Sequence, residues 1–103
     1  MNRLKDKVAL ITGGAMGIGE ADAKLFASEG AKVAVADINE EEGKRVVKEI
    51  RAAGGDAVFV KLDVSLEEDW KSAIAFTTET YGKLNIVVQN AGISLVHGGI
   101  NES

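Results

Sequence analysis

Residues 8–19 read Val8-Ala9-Leu10-Ile11-Thr12-Gly13-Gly14-Ala15-Met16-Gly17-Ile18-Gly19. A short unbroken apolar run that stops at glycines has the pattern of a strand covered on both faces, as in parallel sheets. After the glycines, Ile18, Ala21, Leu25 and Phe26 recur at helical spacing. Gly17 to Glu29 is therefore predicted as a helix with those four side chains inward. The glycines lie in a strand-to-helix turn, where the first N–H groups of the helix have no intrahelical partner. With the positive end of the helix dipole, those donors make a site for a phosphate or pyrophosphate. Glycine suits such a turn because it accepts positive φ and lets a ligand approach the backbone.

The spacing narrows the ligand. A mononucleotide loop of the form G-x-x-x-x-G-K-S/T is matched by Gly14 and Gly19 alone. Glu20 and Ala21 stand where the lysine and the hydroxyl are needed, so nothing is placed to meet a γ-phosphate or magnesium. The G-x-G-x-x-G fingerprint is absent as well. What stands at Thr12 to Gly19 is T-G-x-x-x-G-I-G, which resembles the cofactor loop of the short-chain dehydrogenase/reductase family. The resemblance makes Gly13, Met16, Gly17, Ile18 and Gly19 candidate cofactor-binding residues.

The chain in order predicts an alternation. Strand 1 spans Lys7 to Thr12, and the first helix ends at Gly30. Strand 2 is Ala31 to Ala36, followed by a helix capped by Asn39, with Glu42 completing a capping-box-like arrangement. Val46, Val47 and Ile50 form its buried stripe, and Gly54-Gly55 ends it. Strand 3 is Ala57 to Leu62. Ser65-Leu66-Glu67-Glu68 reads as a full capping box opening a third helix, whose inner stripe is Trp70, Ala73, Ile74 and Thr77. Gly82 ends that helix, and strand 4 is Leu84 to Gln89. The remainder, 93–103, has two adjacent glycines and no periodicity, and is expected to be a loop leading to a helix that is absent. Connections too long for hairpins require a parallel sheet. The expected architecture is an α/β fold, half of a Rossmann-type doubly wound sheet with strand order 3-2-1-4, filling residues 1–103 as one truncated dinucleotide-binding domain.

Composition excludes several functions. With 103 residues, 46% apolar and 27% charged, the chain fits one ordinary globular domain. A net charge of −4, with basic residues interspersed among acidic ones, argues against nucleic acid and anionic membranes as partners. There is no cysteine, hence no disulfide framework and no thiolate chemistry. The apolar run after Lys7 is too short for a signal peptide, and no segment approaches the length of a membrane span. A cytoplasmic location is expected. The acidic run Glu40-Glu41-Glu42 suits a helix N-terminus rather than a metal site.

Ligands of such sheets bind outside the carboxyl ends of the strands, at the switch between strands 1 and 4. Each strand here delivers a polar or glycine residue to that edge: Gly13, Asp37, Asp63 and Asn90-Ala91-Gly92. Asp37, at the end of strand 2, is placed to accept hydrogen bonds from both adenosine ribose hydroxyls. It would repel a 2′-phosphate, and neither Met16 nor Ile38 supplies a compensating cation, so NAD(H) is expected over NADP(H). In the family that the chain resembles, the pair matching Asp63-Val64 meets the adenine amine and a ring nitrogen. The N-A-G signature matching Asn90-Ala91-Gly92 brings backbone to the nicotinamide ribose. Gln89 stands where the family often has a second asparagine.

The resemblance covers essentially the whole chain but only the first half of the family's usual length. Members carry a later serine, an asparagine and a Tyr-x-x-x-Lys pair in which the tyrosine handles the proton. Tyr81 is the only tyrosine, and Asn85, not lysine, stands four positions on. The resemblance thus implies the NAD(H)-binding part of an alcohol–carbonyl oxidoreductase, with no catalytic residue of its own and no turnover when alone. Strand 4, nearly all apolar, is expected to be an uncovered edge, and self-association through 84–89 or its adjoining face is expected from it. The rival reading is an inactive half-Rossmann module that assembles through this strand.

Overall fold

A computed structural model describes residues 3–15, 17–89, 92–97 and 100–101, the last two segments as backbone. The elements are β1 (Val8–Thr12), α1 (Gly17–Ser28), β2 (Lys32–Asp37), α2 (Glu40–Ala52), β3 (Asp56–Lys61), α3 (Glu67–Tyr81), β4 (Ile86–Gln89), β5 (Gly92–His97) and β6 (Ile100–Asn101). The sheet order is β3-β2-β1-β4-β5-β6, and its first four strands run parallel in the expected order 3-2-1-4. In register, Leu10 lies between Ala34 and Val87.

All five residues of β1 are buried because helices cover both faces of the sheet. Ala9 and Ile11 join Val33, Val35, Val46, Val47 and Ile50 in one cluster, against which Phe26 and Phe59 pack. Val8 and Leu10 join Ala34, Leu62, Ala73 and Val87 in the other, with Trp70, Ile74 and Tyr81 at its margin. Alternate residues of one strand therefore feed two cores, which is why β1 shows an unbroken apolar run. Each fully buried Val, Leu or Ile side chain among them contributes about 1.5–3 kcal/mol.

The helix faces expected for α2 and α3 are observed, but that for α1 is corrected. Ile18 is 77% exposed and Leu25 55%, while Gly19 and Ala23 are buried. The helix packs by Gly19, Ala23 and Phe26, of which only Phe26 was expected, since Gly19 must lie against the turn that precedes it. In α2, Asn39 Oδ1 accepts from Glu42 N–H at 3.1 Å, as a cap should. The capping box expected at Ser65 does not form. Leu66 is the N-cap with no side-chain cap bond, and Ser65 donates instead, from N and Oγ, to Asp63 Oδ1. Asp63, immediately behind β3, takes the serine before the helix can.

The largest correction concerns the tail. The segment 93–103 was expected as loop, but β5 pairs antiparallel with β4, with Ile86 opposite Leu95 and Gln89 opposite Gly92, and β6 pairs with β5. Strand β4 is therefore not a free edge, and association through it would require β5 to leave. Among the described residues no helix is long and apolar enough to cross a membrane.

Candidate functional site

Three crossovers bring their loops to the carboxyl edge of the sheet. Behind β1 the chain turns at Gly13 (φ 66°), and Gly14 N–H donates to the Ala36 carbonyl at 3.2 Å, tying the turn to β2. Gly17 opens α1 with φ 57°, and among the described residues no atom beyond its chain neighbours and its own helix backbone lies within 4 Å of where its Cβ would be. That open face is where a ligand can meet the first-turn N–H groups of α1. Gly19 is the opposite case, because a Cβ there would overlap the Gly13 carbonyl. One glycine leaves room for a ligand, and the other lets the helix sit on its own turn.

Asp37, the last residue of β2, joins the second loop to the first. Its Oδ2 accepts from Ala15 N–H at 3.1 Å, and its Oδ1 accepts from Asn39 N–H at 2.8 Å. The carboxylate is thus oriented by backbone donors on both sides, and each oxygen keeps lone-pair capacity for a further donor. The Asp37 carbonyl accepts from Leu62 N–H at 3.0 Å, bringing in the third loop. There Asp63 N–H donates to Asp69 Oδ2 at 2.9 Å, and Trp70 Nε1–H donates to the Val64 carbonyl at 2.9 Å. The Ser65 hydroxyl, and then its N–H, hold the Asp63 carboxyl below the usual aspartate range, so it is ionised at neutral pH.

Apolar side chains stand in water among these polar groups. Ile38 is 60% exposed and Val64 59%, and Ile18 is more exposed still. A row of open donors and carboxylates flanked by uncovered aliphatic side chains fits a ligand with anionic, hydroxylic and flat aromatic parts. Of the residues expected from sequence, Gly13, Ile38, Asp63 and Val64 lie in the loops at this edge, Gly17, Ile18 and Gly19 in the first turn of α1, and Asp37 at the end of β2. Met16, Asn90 and Ala91 lie outside the described residues, and Gly92 is described as the first backbone position of β5.

The sequence reading missed the charged staple between α1 and α2. Arg45 Nη2 lies 3.0 Å from Glu20 Oε1, Arg45 Nε 2.9 Å from Glu42 and Nη1 2.8 Å from Glu49, while Lys24 bridges Glu20 and Glu49. Arg45, and then Lys24, draw the Glu20 carboxyl down to about 2. Helical spacing of Glu42, Arg45 and Glu49 could have suggested the part within α2. No local pattern links Glu20 to Arg45.

A sequence model described as short chain dehydrogenase matches residues 7–102. The chain belongs to the short-chain dehydrogenases. It is 57% identical over 102 residues to 2,5-dichloro-2,5-cyclohexadiene-1,4-diol dehydrogenase LinX of Sphingobium indicum, covering 98% of this chain and 40% of LinX. Among solved structures it resembles a hydroxysteroid dehydrogenase from Escherichia coli (TM-score 0.83, 39% identity, 84% of this chain and 37% of that one). It also resembles a short-chain dehydrogenase/reductase from Burkholderia phymatum in complex with NAD (TM-score 0.80, 36% identity, 84% and 31%). The chain thus spans between about a third and two fifths of the length of these short-chain dehydrogenases.

In this short-chain dehydrogenase chain, Tyr81 stands at the end of α3, at the amino edge of the sheet. Its hydroxyl donates to Asp56 Oδ1 at 2.8 Å, and burial, then Asp56, push its pKa upward. Asn85 serves β1, its Oδ1 accepting from Val8 N–H at 2.9 Å.

Proposed function

We propose that this chain is the NAD(H)-binding part of an oxidoreductase that interconverts an alcohol and a carbonyl by hydride transfer. The observation that carries the reading is Asp37, its carboxylate fixed by Ala15 N–H beside the open Gly17 turn. The pyrophosphate would lie at the N-terminus of α1, with Gly13, Met16, Gly17, Ile18 and Gly19 around it. Asp37 would take the adenosine ribose hydroxyls, and Ile38, Asp63 and Val64 would flank the adenine. Asn90, Ala91 and Gly92 would face the nicotinamide ribose. The carboxylate favours NAD(H) over NADP(H), because a 2′-phosphate there would meet like charge. The solved Burkholderia relative, in complex with NAD, supports the same choice. Bound NADH would supply the hydride to a carbonyl, and bound NAD⁺ would take it from an alcohol. A proton donor for the carbonyl oxygen is needed as well, and Tyr81 is committed to Asp56 at the other edge. The chain alone is therefore proposed to bind cofactor without turning substrate over, in a reducing cytoplasm that suits its lack of cysteine.

Trp70, the single tryptophan, reports on the site because its indole holds the Val64 carbonyl. Titration with NAD⁺ is expected to change its fluorescence saturably, with a dissociation constant on the order of tens of micromolar to millimolar. A folded chain whose emission and heat signal both stay flat to several millimolar NAD⁺ would overturn the reading. So would turnover of an alcohol or carbonyl above a protein-free control overturn the second half of it.

A further inference from the structure

Arg45 approaches the glycine turn from α2. Its Nη2 lies 3.4 Å from the Ala15 carbonyl oxygen, and Ala15 N–H is the donor to Asp37 Oδ2. One residue therefore links a guanidinium to the carboxylate assigned to the ribose hydroxyls. A cofactor bearing a phosphate on the 2′-oxygen would bring its charge to this side, where a planar guanidinium is the matching group. The chain thus carries a guanidinium that reaches the same residue, Ala15, whose N–H orients Asp37.

That cation is occupied. Glu42 and Glu49 hold it from its own helix, at one turn in either direction, and these bonds run along the face of α2. Glu20 alone holds it from α1, with Oε1 at 3.0 Å from Nη2 and Oε2 at 3.3 Å from Nη1. Nη2 is also the nitrogen nearest the Ala15 carbonyl. Lys24 competes for the same carboxylate, at 2.7 Å from Glu20 Oε2. We propose that Glu20 sets cofactor choice together with Asp37, by engaging the Arg45 nitrogen that would otherwise serve a 2′-phosphate. Asp37 repels the extra phosphate, and Glu20 occupies the guanidinium that could pair with it. The inference rests on the NAD(H) reading above and gives α1 a role in specificity that a staple between two helices would not have.

The test compares the unaltered chain with Asp37→Ser, Asp37→Ser/Glu20→Gln and Asp37→Ser/Glu20→Gln/Arg45→Ala, each titrated calorimetrically with NAD⁺ and NADP⁺. All three side chains are half-buried rather than part of the core, and circular dichroism verifies the fold of each chain. Asp37→Ser is expected to remove most of the preference for NAD⁺. Adding Glu20→Gln is expected to tighten NADP⁺ by about threefold to fivefold, as a partly solvated charge pair allows, with NAD⁺ unchanged. Adding Arg45→Ala is expected to abolish that gain. A purely structural staple would shift the melting temperature and leave the NADP⁺/NAD⁺ ratio alone. No gain on Glu20→Gln, or a gain that survives Arg45→Ala, would overturn the inference. Absence of NAD⁺ binding by the unaltered chain would instead overturn the functional reading, and this inference with it.

Discussion

The two edges of the parallel sheet are built from similar residue types and left in opposite states. At the amino edge, the polar groups of Asn85, Tyr81 and Asp56 meet partners within the chain. Asn85 donates its N–H to the Val8 carbonyl and accepts Val8 N–H on Oδ1, Tyr81 donates to Asp56, and Lys32 Nζ stands 5.7 Å from the Tyr81 ring centre. At the carboxyl edge, donors and carboxylates are positioned by the backbone but keep capacity to spare, among exposed Ile18, Ile38 and Val64. A closed edge stabilises the fold, and an open one keeps polar groups available to a ligand. A tyrosine or an aspartate gains its role from the edge to which the topology delivers it.

Substitutions at the two edges should separate accordingly. The largest effect is expected from Gly19→Ala, because its methyl group would overlap the Gly13 carbonyl and force α1 off its turn. A loss of about 3 kcal/mol in urea unfolding is expected. A loss below about 0.5 kcal/mol would show that the turn yields easily. Asn85→Ala, at the closed edge, leaves Val8 N–H without its partner and should cost about 1–2 kcal/mol, with NAD⁺ affinity unchanged. A fall in affinity without loss of stability would erase the distinction between the edges.

Gly17→Ala is expected to cost about 1 kcal/mol, from its positive φ alone, since the space beside it is open. Its effect on NAD⁺ binding should be larger than its effect on stability, because the methyl group occupies the ligand's approach. The smallest effect is pH-dependent. The Glu20 carboxyl lies near 2 in the folded chain, below the ordinary 4.5, chiefly through Arg45 and then Lys24. A depressed folded value means the contribution is complete above about pH 5.5 and disappears as pH falls through 4.5 toward 2. The stability gap between the unaltered chain and Glu20→Gln should be flat near neutrality, below about 1 kcal/mol because the ions are partly solvated, and should close in acid. A gap that widens on acidification would contradict the pairing.

What the sequence disclosed follows from the range of the interactions involved. The β1 run, the Asn39 cap and the stripe Val46, Val47 and Ile50 are governed by neighbours in sequence and by burial. They were legible for that reason. The inward face of α1 was not, because its packing is set by contact of Gly19 with the turn, and hydrophobic spacing pointed instead to Ile18 and Leu25. The strand β5 was missed although Ile93 and Leu95 alternate with Ser94, since the neighbouring glycines outweighed a short period-two signal. At the candidate site, Asp37 and the glycines were legible by position. The Ala15 N–H that orients Asp37 is a backbone donor with no signature, and the Glu20–Arg45 pair spans 25 residues.

We propose that the open edge takes a dinucleotide whose adenosine ribose meets Asp37. Parallel calorimetric titrations of the unaltered chain with NAD⁺ and NADP⁺ test it most directly. Saturable one-to-one binding of NAD⁺, at least about tenfold tighter than NADP⁺, is the expected result, a margin equal to one decade in the dissociation constant. Equal or tighter binding of NADP⁺, or no binding of either by a chain that circular dichroism shows folded, would contradict it.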